Sequence, residues 1–294
     1  MTTSRTTFIP LLALAGALTG CGDDATTAVS RPLPHLICGA GGVALGAGAG
    51  LETALCRPGA DPEGAPPIGV VSLQYDAAGR VDGARFDTGS GLAYTVALSW
   101  DADGRLTELA EDTDGDGEVD LRTEASWTDG ALSSLITEDR EGTPTRFVTI
   151  DHRDGRVAGR DVTDGEGTPL TFEDYTWQDG HLAHRLLQDG EGVPLEVADY
   201  HADADGRITS RHVDDGYDRF VSDTAWDWRD GRLEGRTDHG PDGSSVIATV
   251  EYAYDADGRP AYRHQTGDDA HDVTFERDAQ GRVDRVVITG PAYD

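Results

Sequence analysis

Turns of one kind recur at nearly constant spacing through most of this chain, and they limit the folds that it can adopt. From about residue 68 onward, a glycine that follows Asp directly, or follows Asp and two further residues, returns every 23 to 27 residues. A period in this range is typical of repeat architectures, in which each unit packs mainly against its neighbours. The turn glycines that define nine units are Gly79, Gly104, Gly130, Gly155, Gly180, Gly206, Gly231, Gly258 and Gly281.

A second turn follows each of these about ten residues later, as at Asp164 and Asp189, each of which precedes a glycine. Asp-Gly between apolar runs is a strong hairpin signal, because Gly adopts a positive φ without steric cost. Between the turns, polarity alternates with a period of two, so that Tyr94, Val96 and Leu98 share one face. This period indicates strands. We therefore predict two strands per unit, about eighteen in all, and no helices after residue 68, where Gly, Thr and Asp are dense.

The predicted fold is all-β, a long antiparallel meander curled into an open or barrel-like sheet, because the apolar face must be buried. Aromatic and aliphatic side chains are expected inside, and Asp, Glu, Arg and Thr outside. Apolar residues make up only 37% of the chain, so the core should be thin. The predicted domains are a signal peptide over 1–20, a flexible tether over 21–67 and the repeat domain over 68–294.

Four turns match the pattern Tyr-Asp-x-x-Gly-Arg-Leu/Val most fully, over residues 75–81, 100–106, 254–259 and 277–283. The pattern resembles the YD repeat of RHS-type proteins, and the resemblance covers roughly residues 68–289. In large members of that family the repeats coil into a β-sheet shell around a toxic C-terminal domain. The resemblance therefore implies a sheet architecture and a secreted setting. We expect no toxin-carrier function, because nine units look too few for a closed cocoon and neither a self-cleaving core segment nor a toxin domain is recognisable.

The first residues are typical of an export signal. Arg5 precedes an apolar run over 8–18 that is too short to span a bilayer as a mature helix. The run ends in Leu-Thr-Gly-Cys, which resembles the bacterial lipobox, so Cys21 is predicted to carry lipid and become the mature N-terminus. An ordinary cleaved signal with a chance cysteine is the alternative. Lipidation predicts an exported protein anchored to the bacterial cell envelope, most simply at the outer membrane.

Two cysteines remain if Cys21 is acylated. Cys38 and Cys56 form an even pair in an exported protein, which predicts a disulfide. The loop that it closes spans about 19 residues, for which the chain-entropy model gives about 3 kcal/mol of stabilisation.

The chain carries a net charge of −31, which repels phosphates and excludes nucleic-acid binding. The simplest interpretation of this charge is an acidic, soluble surface. Cation binding is the more specific alternative. Segment 112–120 contains Asp-x-Asp-x-Asp-Gly, the start of a calcium loop, but the glutamate expected at position twelve is replaced by Thr123. Either a hairpin turn or a weak Ca²⁺ site explains the segment. We expect no required cofactor, and Ca²⁺ is the one candidate. Its predicted ligands are Asp112, Asp114, Asp116, Glu118 and Asp120.

Five units place Arg five residues after the turn glycine, which predicts a row on one face of the sheet. Acidic residues occupy the partner strands, so cross-strand ion pairing on a wet sheet face is one interpretation. A binding stripe for an anionic polymer or a carboxylated glycan is the other. The arginines are Arg160, Arg185, Arg211, Arg236 and Arg263, and the acids are Glu173, Asp174, Glu196, Asp199, Asp223 and Glu251.

The segment Phe86-Asp87-Thr88-Gly89 looks like the active-site signature of aspartic proteases. That chemistry needs two carboxylates that share one proton, and the sequence holds no second Asp-Thr/Ser-Gly. We therefore expect no enzyme. The predicted function is a non-catalytic scaffold that binds protein or glycan at the envelope. The alternatives are a Ca²⁺-stabilised passive coat and a hydrolase that uses Asp87.

Overall fold

The computed structural model describes residues 69–87, 93–267 and 270–290. Cys21, Cys38 and Cys56 lie outside these residues, so the lipid anchor and the disulfide stay predictions. Among the described residues there is no helix with the length and hydrophobicity needed to cross a membrane.

Eighteen antiparallel strands make up the described part of the chain, as the turn spacing predicts. The strands are β1 (Gly69–Tyr75), β2 (Val81–Asp87), β3 (Ala93–Trp100), β4 (Leu106–Asp112), β5 (Leu121–Thr128), β6 (Ala131–Asp139), β7 (Pro144–Arg153), β8 (Arg156–Asp164), β9 (Pro169–Gln178), β10 (His181–Asp189), β11 (Pro194–Ala202), β12 (Ile208–Asp215), β13 (Phe220–Arg229), β14 (Arg232–His239), β15 (Val246–Tyr254), β16 (Pro260–Gly267), β17 (His271–Arg277) and β18 (Val283–Thr289).

The sheet closes into a barrel because β1 pairs with β18 as well as with β2. Val71 lies opposite Val286 across the closing pair, and Ser72 lies opposite Arg285. The expectation of an open or barrel-like sheet is thus resolved as a closed barrel, although the low number of units argued against closure. Closure leaves no free strand edge in the described sheet, which excludes ligand capture by strand addition there.

The two kinds of turn lie at opposite ends of the barrel. The turns that contain the nine repeat glycines form what we call the first-turn rim, and the alternating turns form the second-turn rim. At the first-turn rim, Asp129 and Gly130 both have positive φ, of 52° and 81°, which is the type I′ hairpin geometry that Asp-Gly favours. β1 starts at the second-turn rim.

Aromatic side chains join neighbouring units at the first-turn rim. The indole of Trp100 donates to the carbonyl of Val81 at 2.8 Å, and Arg80 lies over the same ring at 5.8 Å from its centroid. Tyr75 makes the equivalent bond to Val283 at 2.5 Å, between the first and the last unit. The other bonds of this kind are Trp127 to Leu106, Trp177 to Val157, Trp228 to Ile208 and Tyr254 to Leu233.

Buried apolar residues form two clusters inside the barrel. One cluster lies on β1–β4, β17 and β18, and the other lies on β6–β12. Strands β13–β16 contribute no buried member to either cluster, although Trp226 of β13 packs partly against the second. β14 and β15 bury Leu233, Ala248 and Val250, but these residues lie outside both clusters.

Candidate ligand site inside the barrel

The predicted arginine row lies inside the barrel, and the prediction that it faces outward is wrong. The relative solvent exposure is 1% for Arg160 and 3% for Arg185. The cause is a β-bulge in each hairpin of the first-turn rim. Between Leu182 and His184 the register shifts by one residue, so that Leu182 and Arg185 both point inward. Strict alternation would have put Leu182 and Arg185 on opposite faces of the sheet. The prediction from the sequence assumed this alternation and therefore placed the arginines outside.

Arg160 and Arg185 belong to a buried ionic network. Arg160 bonds Glu173 at 2.5 Å, Tyr175 donates to the same carboxylate, and Arg185 pairs with Glu196. Burial, followed by the charge of Glu173, raises the pKa of Tyr175 well above its ordinary value, so the phenol keeps its proton. The predicted cross-strand pairing is therefore present, but in the interior. These two arginines are neutralised by protein carboxylates and hold the barrel together.

The remaining predicted acids do not join this network. Their strands point them to the outer face, where they remain exposed or half-buried. They are Asp174, Asp199, Asp223 and Glu251.

The other three arginines of the row have a different environment. Arg236 pairs with Asp238 at 3.0 Å. Arg211 donates to the hydroxyl of Thr224 at 3.3 Å and Arg263 to the amide oxygen of Gln265 at 2.8 Å, and within the described residues neither forms an ion pair. The Nε atoms of all five arginines in the row are buried without a hydrogen-bond partner in the described residues, so the difference between the two groups lies in their ion pairs. Arg211 and Arg263 thus bring two positive charges into the interior that no carboxylate of the described residues pairs, which is a cationic surplus.

Aromatic residues lie directly across the strand pairs from these arginines. Trp226 is in register with Arg236, and Tyr252 with Arg263. We call Arg211, Trp226, Arg236, Tyr252 and Arg263 the Arg–aromatic wall. Planar guanidinium groups bind carboxylates through paired N–H donors, and aromatic faces offer apolar stacking surfaces. The wall therefore suits a ligand that carries both carboxylates and flat, weakly polar faces.

The candidate calcium loop lies at the second-turn rim between β4 and β5. Carboxylate oxygens of Asp112, Asp114 and Asp116 lie within 4.8 Å of one another. Asp112 is buried and accepts hydrogen bonds from the amides of Gly115 and Gly117. Three converging carboxylates fit a hard cation such as Ca²⁺.

The structure separates the other two predicted ligands from this cluster. Glu118 pairs with Arg140, which reaches over from the turn between β6 and β7. Asp120 accepts hydrogen bonds from the amide and the hydroxyl of Thr113. Arg140 also lies 3.4 Å from Asp116, so a cation at the cluster would share that carboxylate with the guanidinium.

Asp87 ends β2 at the second-turn rim. The Thr88-Gly89 part of its motif lies outside the described residues. Nothing in the described part of the chain places a second carboxylate in the arrangement of an aspartic protease.

One row on the outer face was not anticipated. His184, Asp199, His212, Asp223 and His239 lie in register across β10–β14. Nδ1 of His184 lies 2.8 Å from Asp199, and Nδ1 of His212 lies 2.7 Å from Asp223. Consecutive members are 11 to 16 residues apart, so only the strand register brings them together. The strand register, and with it this row, could have been predicted from the turn positions if a bulge had been assumed in each hairpin.

Comparison with known proteins gives no family. No protein-family model matches the chain, and no curated protein matches it. A porin-like protein from Bacteroides uniformis has 11% identity and a TM-score of 0.40, over 77% of this chain and 98% of that one. A second, from Bacteroides vulgatus, has 11% identity and a TM-score of 0.38, over 76% and 98%. TcdB2-TccC3 has 13% identity and a TM-score of 0.29, over 76% of this chain and 16% of that one. Similarities this weak do not extend to function.

Proposed function

We propose that this protein is a non-catalytic binding protein of the bacterial envelope. It is exported by the segment 1–20 and held by lipid on Cys21. Its ligand is an anionic glycan that lies against the Arg–aromatic wall. The observation that carries this proposal is that Arg211 and Arg263 face the interior without a carboxylate partner among the described residues. The turns that resemble YD repeats agree with an exported sheet protein.

The chemistry of the wall selects the ligand class. A ligand carboxylate would accept hydrogen bonds from the guanidinium N–H groups of Arg211 and Arg263, whose acceptors in the described residues are the neutral oxygens of Thr224 and Gln265. Each charge-assisted hydrogen bond of this kind contributes about 1.5–3 kcal/mol. Trp226 and Tyr252 would stack on sugar rings, since they lie in register with Arg236 and Arg263. Uronic-acid polymers combine these two features.

The test is calorimetric titration of the acylated protein in detergent with oligogalacturonate, which carries one carboxylate per sugar. The double variant Arg211→Gln/Arg263→Gln should bind at least about 100-fold more weakly, because two charge-assisted contacts are lost. The matched control is Arg105→Gln/Arg219→Gln, which removes two turn arginines that already pair with Asp101 and Asp215. Equal loss in both double variants, or no binding by the unaltered protein to any anionic glycan, would contradict the proposal.

A Ca²⁺-stabilised passive coat is the second candidate. The cluster of Asp112, Asp114 and Asp116 favours it. In that case Ca²⁺ would raise stability without any glycan binding, and the two candidates are separable because the cluster and the Arg–aromatic wall share no residue.

A further inference from the structure

Among the described residues, large apolar side chains are exposed at only one end of the barrel. Every such residue in the described part of the chain lies in a turn of the second-turn rim or in the first two residues of the strand that follows it. The first-turn rim, built from the same number of units, has none among the described residues. The exposed residues are Val119, Leu170, Val193, Leu195, Tyr217, Val221, Val246 and Ile247.

Four of these residues are equivalent and form a row. Leu170, Leu195, Val221 and Ile247 are each the second residue of an odd-numbered strand, β9, β11, β13 and β15. Their relative solvent exposures are 40%, 47%, 40% and 36% in that order. Because they repeat at one position in consecutive units, they line one continuous stretch of the rim. We call this row, together with Val193 of the turn between β10 and β11, the apolar rim.

The turns beside this rim are acidic. Glu166 and Glu191 are exposed and form no ion pair among the described residues. The turn between β12 and β13 contains Arg219, but its guanidinium already pairs with Asp215 at 2.6 Å. A surface that combines apolar side chains with unpaired carboxylates complements a partner that combines apolar with basic side chains. Anionic lipid headgroups are disfavoured, since these carboxylates would repel them.

Two turns of the rim are also closely packed, which favours specific binding. A Cβ at Gly190 would lie 2.0 Å from the carbonyl oxygen of Pro169, so that turn is pressed directly against the preceding unit. The same close approach occurs between Gly216 and Pro194, at 1.7 Å. A surface that is already ordered loses little conformational entropy on association.

We propose that the apolar rim is a docking surface for a protein partner that presents basic and apolar side chains together. This interaction is independent of the glycan site, because the Arg–aromatic wall lies inside the barrel and the rim lies on its outer edge. It would allow the protein to hold a glycan and a protein at the same time.

The test is site-specific photo-crosslinking on intact cells that make the full-length protein. A photoreactive residue replaces Leu195 at the apolar rim, and the control carries it at the exposed Ala204 of the first-turn rim. We expect a protein adduct from position 195 but not from position 204, with the crosslinked partner peptide containing Lys or Arg beside apolar residues. Adducts in equal yield at both positions, adducts with lipid alone, or adducts with a second copy of this chain would overturn the proposal.

Two sets of substitutions, made with the crosslinker in place, test the chemistry of the contact. Leu170→Asp/Val221→Asp should reduce the adduct yield at least tenfold. Glu166→Gln/Glu191→Gln keeps the apolar residues and should reduce the yield and its sensitivity to salt. The second pair changes only exposed turn residues, so it tests the proposal even if the first destabilises the strands. Unchanged yield in the second pair would overturn the basic character of the partner.

Discussion

Gly190 and Gly192 lie in one turn between β10 and β11, and each is glycine for a different reason. Gly192 has a φ of +81° and open space around its Cβ position, whereas a Cβ at Gly190 would collide with the backbone of Pro169. Gly192→Ala should therefore lower the free energy of unfolding by about 1 kcal/mol, the cost of a left-handed alanine. Gly190→Ala should lower it by about 3 kcal/mol, because neighbouring backbone must move. Urea unfolding followed by tryptophan fluorescence measures both, and equal losses would show that the rim is not tightly packed.

His212 gives the outer face a defined dependence on pH. The hydrogen bond to Asp223, with the charges of Asp214, Asp223 and Asp199, raises the pKa of His212 against a smaller opposing effect of burial. The stabilisation from this raised pKa is fully present below the unfolded value of about 6.5 and is lost as the pH rises through the folded value. The difference in unfolding free energy between the unaltered protein and His212→Gln should therefore shrink between pH 6 and pH 8.

This comparison removes the general effect of net charge, because both proteins carry nearly the same acidic surface. His201→Gln is the matched control, since His201 is also exposed on the outer face and forms no ion pair among the described residues. A pH-independent difference for His212→Gln, or the same trend for His201→Gln, would contradict the assignment.

At the scale of the element, Tyr75 makes the bond that joins the first unit to the last. Tyr75→Phe removes its hydrogen bond to Val283 and leaves that carbonyl without the donor, which should cost about 1 kcal/mol. Tyr254→Phe removes the equivalent bond to Leu233, between two units that are consecutive along the chain, and should cost about the same. Hydrogen exchange separates the two variants. Exchange should accelerate in β1 and β18 for Tyr75→Phe and in β14 and β15 for Tyr254→Phe, whereas acceleration throughout the barrel in both would show that closure is not local.

The strands and turns of the barrel were predicted from the sequence, but the pairing details that place the candidate site were not. Turn glycines and alternating polarity are local signals, so they were sufficient to predict the strand number, the antiparallel meander and the curled sheet. The bulge after Leu182 depends on how two strands pair, and no local pattern in β10 reports it. One missed bulge per hairpin moved Arg185 from the predicted outer face to the interior. The candidate site was therefore predicted by residue but not by location, and the outer histidine row was not predicted at all.

At the scale of the whole molecule, Ca²⁺ should stabilise the barrel by binding the native state alone. Ca²⁺ bound by the carboxylates of Asp112, Asp114 and Asp116 raises the free energy of unfolding by about 2.7 kcal/mol when free Ca²⁺ is 100 times its dissociation constant. The melting temperature should rise with millimolar Ca²⁺ more than with NaCl of equal ionic strength. Asp114→Asn/Asp116→Asn should abolish the extra shift, while Asp103→Asn/Asp205→Asn, two exposed acids of the first-turn rim, should leave it unchanged. Equal effects of both salts on the unaltered protein would exclude the site.

The charge distribution of the whole molecule predicts how an anionic glycan reaches its site. The net charge of −31 repels such a ligand at long range, whereas the cationic surplus of the wall attracts it only in the interior. Salt screens the long-range term first, because the Debye length falls from about 30 Å at 0.01 M to about 10 Å at 0.1 M. The association rate constant for oligogalacturonate, measured by stopped-flow fluorescence, should therefore increase over this range.

If a basic surface attracted the glycan at long range, the association rate constant would instead decrease as salt is added. Arg211→Gln/Arg263→Gln should accelerate dissociation while it preserves the increase of the association rate with salt, because the outer surface is unaltered. A rate constant that falls with salt in the unaltered protein would place the ligand on a basic outer surface and exclude the Arg–aromatic wall as its site.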